Sequence, residues 1–423
     1  MAQALEKRRE KQRQRVLRPG ISHGGVIWEQ DAEQFINFSS NDYLGLAQHP
    51  AGVAGAQAYG QRYGTGATGS RLVTGNWEIH QALEQRLADA CGHEAALLFN
   101  TGFQANATVL STLVDRQSLI LADRQIHSSL IQSLQGGRTP FQRFHHNDLN
   151  HLESLLRQAR GLDRHTGSHQ RPGPDRQIAP DRQIAPDRRL VIVTETVFSM
   201  DGDRAAVPEL VALADRYGAI LYLDDAHAFG VMGAQGMGLG AHHPGVDVVV
   251  ATFGKAFGAF GAVVMGSQVL RDYLVNYCPG FIYTTALPPA VLGAIDAALT
   301  LMPTLEAQRQ QLQTQAAHLR QQLQARGWDT AASQSQIVPV IVGSEARVLD
   351  LADHLRRSGL LAVAIRPPTV AAGTARLRLA LSTLHTPEYY DRLLAALDSW
   401  PGAAESRPPQ AAPIATNQLG ETG

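Results

Sequence analysis

Between residues 97 and 265 the sequence sets short, nearly unbroken apolar runs between stretches of helical pattern, and this alternation constrains the fold more than any other feature. The runs fall at 97–99, 119–121, 190–193, 220–223, 246–250 and 261–265. A strand with one wet face alternates apolar and polar residues, because successive side chains point to opposite faces. Runs without that alternation suit strands covered by helices on both sides, as in a parallel sheet. The expected fold class is therefore α/β, with a large, mainly parallel sheet.

Beyond Pro288 the pattern changes. Leu305, Leu312, Leu319 and Leu323 mark one face of a long helix. A strand at 337–342, a helix at 346–357, strands near 362–365 and 377–381 and a last helix from Pro387 complete a small α+β domain. The expected division is an N-terminal helix (6–18) and segment over 1–45, a large domain over 46–290, a small domain over 291–400 and a disordered tail over 401–423. Residues 161–189 contain a tandem Ala-Pro-Asp-Arg-Gln-Ile repeat and read as an inserted surface loop.

Composition narrows the function classes. With 18% charged residues and a net charge of -1, nothing asks for nucleic acid or an anionic membrane as partner. Two cysteines exclude a disulfide scaffold and a cysteine-based metal cluster, no metal site is expected, and a cytoplasmic setting fits. The basic N-terminus lacks the apolar core of a signal peptide.

Four segments carry chemistry. Asp224-Asp225-Ala226-His227 follows an apolar strand, where ligand crevices of open parallel sheets lie. A carboxylate there can hold a pyridinium nitrogen protonated, with His227 donating to a ring oxygen; a helix cap or a metal ligand fits the same residues. Thr252-Phe253-Gly254-Lys255-Ala256-Phe257-Gly258 places a lysine at the end of a buried run, where a depressed pKa would suit Schiff-base chemistry. A lysine escaping to solvent from a turn is the plainer alternative. It is not a Walker A loop, since Val249 and Ala256 stand where Gly and Ser or Thr belong. Gly64-Thr65-Gly66-Ala67-Thr68-Gly69 matches a dinucleotide fingerprint literally, but 54–63 does not read as the strand that fingerprint needs. Asn100-Thr101-Gly102-Phe103 opens a helix, a seat for phosphate or a simple cap by Thr101. His127 follows another strand and could lie flat on a cofactor ring or serve structure alone.

Thr101-Gly102-Phe103, Asp224-Asp225-Ala226-His227 and Thr252-Phe253-Gly254-Lys255, with Asn41-Asp42-Tyr43-Leu44-Gly45-Leu46 and Thr194-Glu195 through Phe198-Ser199-Met200-Asp201-Gly202-Asp203, resemble the α-oxoamine synthases. That resemblance implies the pyridoxal-phosphate-dependent transferase fold of the aspartate-aminotransferase type (fold type I), and pyridoxal 5'-phosphate as cofactor. It implies that Lys255 forms the Schiff base, Asp224 binds the ring nitrogen, His227 and Ser199 reach the ring oxygen and His127 stacks on the ring. Gly102, Phe103 and Thr252 would hold the phosphate, with Thr284 or Thr285 from the second subunit of a homodimer. Arg378, assisted by Asn41, would clamp the amino-acid carboxylate.

Within the family, Ala364-Ile365-Arg366-Pro367-Pro368-Thr369-Val370 and Gly69-Ser70-Arg71-Leu72-Val73-Thr74-Gly75 are similar to the biotin-pathway members, whereas Ala228-Phe229 departs from their usual Gly-Thr. That branch implies L-alanine and pimeloyl-CoA or a pimeloyl-carrier protein as substrates, with Arg15 and Thr369 at the acyl chain and His127 at the amino acid. Sister synthases using glycine with acetyl- or succinyl-CoA, or serine with a long acyl-CoA, remain open, as does a non-catalytic cofactor-binding module.

Overall fold

The apolar runs form strands because each can bury both of its faces. The computed structural model describes residues 1–10, 13–162 and 188–403. An N-terminal meander contains β1 (Ile21–His23), β2 (Ile27–Gln30) and β3 (Glu33–Asn37). The large sheet contains β4 (Ala95–Phe99), β5 (Leu119–Asp123), β6 (Phe141–Phe144), β7 (Leu190–Glu195), β8 (Ala219–Asp224), β9 (Val248–Thr252) and β10 (Ala262–Gly266). Its order is β4-β10-β9-β8-β7-β5-β6, and only β10 runs antiparallel to its neighbours. Along β7 to β9, Leu190, Ile192, Leu221, Leu223, Val249 and Ala251 enter one core, while Val191, Val193, Tyr222, Val248 and Val250 enter the other. Both sets are apolar, so the expected alternation never shows in the sequence.

Beyond the large sheet lie β11 (Ile337–Gly343), β12 (Leu360–Leu361), β13 (Val363–Ile365) and β14 (Ala375–Ala380), of which β11, β14 and β13 form an antiparallel sheet. β12 instead pairs in parallel with β3, joining the N-terminal meander to the C-terminal part of the chain. The expected helix over 6–18 is corrected: the helix is Ala2–Glu10, and residues 13–20 have no regular structure. Its Arg- and Gln-rich sequence offers no apolar stripe to dock, and Arg13 instead makes a two-pronged bond with Glu345. β6 and the short strands β1–β3 and β12 were not anticipated. The expected loop over 161–189 and tail over 401–423 lie, apart from their flanks, outside the described residues.

The helical stretch Pro289–Ala325 is the one run among the described residues long and apolar enough to cross a membrane. It is divided by the short turn Met302–Leu305, and Leu292, Ile295, Ala298 and Leu299 are buried in the core. Gly55 and Gly293 let its first helix approach Pro50–Tyr63 so closely that a Cβ on either would strike the other's backbone.

The strand directions gather the chemistry. Phe99, Asp123, Glu195, Asp224 and Thr252 all lie at the carboxyl end of their strands, so the segments leading to Gly102, His127, Ser199, His227 and Lys255 leave from one edge of the sheet.

Candidate active site

That edge encloses a cavity of about 160 Å³ lined by Gly102, Phe103, Asn106, His127, Glu195, Asp224, His227, Thr252 and Lys255 among others. A larger cavity, about 520 Å³, lies at the opposite end of the strands beside Ile220, Val248 and Gly266, and holds none of the sequence-predicted residues.

Lys255 sits in the turn after β9. Gly258 shapes that turn at φ 61, where a Cβ would collide with the backbone of Leu46 and Ala47. Lys255 Nζ lies 2.7 Å from His227 Nε2. Burial pulls the amine down to about 8, against the opposing pull of the Asp224 and Glu195 carboxyl groups. Burial, with the charges of Lys255 and Arg378, holds His227 well below its ordinary range, so its ring is neutral.

Asp224 is buried at the cavity wall, accepting from Asn106 Nδ2 at 2.6 Å and from the Ala226 N–H at 3.0 Å. No helix follows it, which removes the helix-cap alternative. Asp225, its neighbour, points the other way and takes Thr196 and the N–H groups of Leu239 and Gly240, an internal tie for the chain. Glu195 lies beside Asp224 in register; burial and the Asp224 charge raise its carboxyl well above the usual range, and its Oε1 has no partner. His127 caps the helix Ser128–Gly136 and takes the Ser129 N–H and hydroxyl on Nδ1, which leaves its ring proton on Nε2. Burial lowers its pKa as well.

Arg378, on β14, reaches this region from the small sheet. It is 8% exposed and donates to Ser199 O at 2.5 Å, Asn41 Oδ1 at 3.0 Å and Tyr43 Oη at 3.4 Å. All three are neutral oxygens, and among the described residues no carboxylate pairs with it. A buried guanidinium so placed suits a bidentate carboxylate.

Other expected residues stand differently. Ser199 is buried but does not line the cavity; its carbonyl, rather than its hydroxyl, is engaged, by Arg378. Thr252 lines the cavity, yet its hydroxyl donates to Gly261 O and accepts from the Gly254 N–H. Thr284 and Thr285 line a separate small recess and are held by Asn100 Nδ2. Arg15 and Thr369 are exposed and outside the cavity lining. The reading from sequence missed Asn106, Tyr43 and Glu195 as site residues. Asn106 falls one helical turn after Gly102, a spacing that brings both to one face; Tyr43 and Glu195 lie in segments that carry the family resemblance, which gave neither a role.

The donor set fits pyridoxal phosphate. The first N–H groups of the helix Gly102–Leu113 open on the cavity beside Thr252, and the Lys255 amine and the hydrogen-bonded Asp224 carboxylate line the same cavity. The unpartnered Glu195 oxygen leaves polar capacity for a ligand.

Residues 33–397 match the family model "Aminotransferase class I and II". An 8-amino-7-oxononanoate synthase of Gluconacetobacter diazotrophicus is 50% identical over 394 residues, covering 91% of this chain and 92% of that one. A solved serine palmitoyltransferase from S. paucimobilis, with bound pyridoxal phosphate–myriocin, superposes at TM-score 0.83 and 26% identity over 95% of this chain and 96% of that one. The solved 8-amino-7-oxononanoate synthase of Francisella tularensis superposes at TM-score 0.69 and 26% identity, over 86% and 96% of the two chains. The chain belongs to the class I and II aminotransferase family of pyridoxal-phosphate enzymes and, within it, to the 8-amino-7-oxononanoate synthase group.

Proposed function

We propose that the chain condenses L-alanine with a pimeloyl thioester, pimeloyl-CoA or pimeloyl-carrier protein, releasing carbon dioxide, the free thiol and 8-amino-7-oxononanoate for biotin synthesis. The observation that carries the amino-acid half is Arg378, a buried cation that among the described residues has no carboxylate partner and is linked through Asn41, Tyr43 and His227 to Lys255. The acyl half rests on the names of the relatives.

Pyridoxal phosphate, when bound, supplies a ring that accepts electrons from the substrate's α-carbon. Asp224, fixed by Asn106 and the Ala226 N–H, would hold the ring nitrogen. The Gly102 and Phe103 N–H groups would hold the phosphate, with Thr252 after its hydroxyl leaves Gly261. Arg378 and Asn41 would orient the alanine carboxylate. Lys255, whose amine burial pulls down to about 8, is suited to form the covalent link and to carry the α-proton. His127 would face the amino acid from the cavity wall. Arg15 and Thr369, at the surface, are assigned to the acyl chain. The working form is a cytoplasmic homodimer in which Thr284 or Thr285 completes the other subunit's phosphate seat.

The test is thiol release from a panel of acyl-CoAs, each offered with alanine, glycine or serine. Release confined to pimeloyl-CoA with alanine is expected, and Lys255→Ala should remove it. Preference for acetyl-, succinyl- or palmitoyl-CoA would move the chain to a sister activity.

A further inference from the structure

Tyr43 is fully buried and stands at the junction of the two halves of the site. Its hydroxyl lies 2.7 Å from His227 Nδ1, 3.0 Å from Asn41 Oδ1 and 3.4 Å from Arg378 Nη2. A phenol has one proton to give and two lone pairs, whereas a guanidinium can only donate. Arg378 Nη1 donates to Asn41, which identifies the Asn41 atom as its amide oxygen. That oxygen accepts the Tyr43 proton, so Tyr43 must accept from both Arg378 and His227. His227 therefore carries its proton on Nδ1, and its Nε2 lone pair faces Lys255. The direction of every bond in the chain follows from the one group that cannot reverse. The His227 carbonyl is held as well, by Gln336 Nε2 at 2.8 Å, and the Gln336 side chain also hydrogen-bonds Tyr43, so the same amide braces both residues.

We propose that Tyr43 is a positioning residue that fixes His227 as an acceptor toward Lys255 and ties that orientation to the carboxylate seat at Arg378. The proposal rests on the pyridoxal-phosphate and amino-acid reading above, and it concerns the chain before cofactor loading, where the neutral His227 accepts at Nε2 from Lys255. An acceptor stabilises the Lys255 ammonium, so losing its orientation favours the free amine. A carboxylate arriving at Arg378 meets a guanidinium already aligned by Tyr43 and Asn41.

Tyr43→Phe keeps the ring and removes only the hydroxyl. Lys7, Lys11 and Lys255 are the chain's three lysines, so amine labelling followed by peptide mapping reads Lys255 apart from the N-terminus. In the full chain before cofactor loading, the pH midpoint for Lys255 labelling should fall by about 0.5 unit or more in the variant. In the loaded enzyme KM for L-alanine should rise about tenfold while KM for the acyl thioester stays within about twofold. A labelling midpoint and an alanine KM both equal to wild type would overturn the proposal. If Tyr43→Phe does not fold, 4-fluorophenylalanine at position 43 fills the hydroxyl's space with a very weak acceptor that cannot ionise; it should lower the midpoint in the same direction, and no movement would equally overturn the proposal. Failure of the wild-type enzyme to respond to alanine by absorbance would instead count against the proposed function.

Discussion

Lys255 is held where its charged form is disfavoured. Its folded pKa, about 8, lies below the ordinary lysine value, so between the two the unfolded chain binds more protons than the folded one. Stability linked to this group is therefore lost as pH falls through about 8 and regained only as it rises toward the ordinary lysine value. Lys255→Met, without cofactor, should melt at a higher temperature than wild type at pH 7, and calorimetry at pH 10.5 should find the gap closed. An equal gap at both pH values would show that packing, not charge, sets it. Asn106 acts differently, through Asp224. Its amide donates to Asp224 and to Ser129 Oγ at 3.0 Å and accepts from Tyr222 Oη at 2.9 Å. Asn106→Leu should weaken pyridoxal phosphate binding about tenfold, as read by absorbance titration. Lys255 and Asp224 were legible in the sequence because a charged side chain ending an apolar run has few structural uses. Asn106 and Tyr43 were not, because a polar residue on a helix or in a turn has many.

At the scale of elements, the segment after β7 must be held so that Ser199 can present its carbonyl to Arg378. His146, which follows β6, spans it: Nδ1 meets Asp123 Oδ1 at 3.0 Å and Nε2 meets Asp203 Oδ2 at 2.8 Å, with the ring edge-on to Phe198. Burial works against the charged ring, but the hydrogen bonds and charges of the two aspartates prevail and raise it to about 10. A raised folded pKa gives stability that is complete below the ordinary histidine value and disappears as pH rises through about 10. His146→Gln should therefore lower the melting temperature more at pH 6 than at pH 10; a loss that is larger at high pH would reverse the assignment. β6 escaped the sequence reading because Phe141-Gln142-Arg143-Phe144 carries two polar residues at the sheet edge. β5, β7, β8, β9 and β10 stood out because they lie inside the sheet.

At the scale of the whole molecule, Phe103 is 48% and Tyr283 83% exposed, large aromatic surface close to the cavity and to the Thr284–Thr285 recess. Such surface fits a subunit interface at the site. Sedimentation should find a dimer, and Tyr283→Asp should shift it toward monomer; a wild-type monomer with full activity would exclude a shared site. The linear sequence by itself determined six of the seven strands of the large sheet, their burial on both faces, and the placing of Gly102, His127, Asp224 and Lys255 after strands, because those depend on local periodicity and on the rule that ligands meet strand ends. The pairing of Arg378 with Asn41 came instead from the resemblance to the α-oxoamine synthases, not from local pattern. Tertiary structure alone decided that β3 pairs with β12, that Ser199 offers a carbonyl, and that Arg378 reaches Lys255 through Asn41, Tyr43 and His227. Most of those contacts join residues more than 170 positions apart, and the direction of a hydrogen bond depends on which partner the fold supplies. No local pattern encodes that choice.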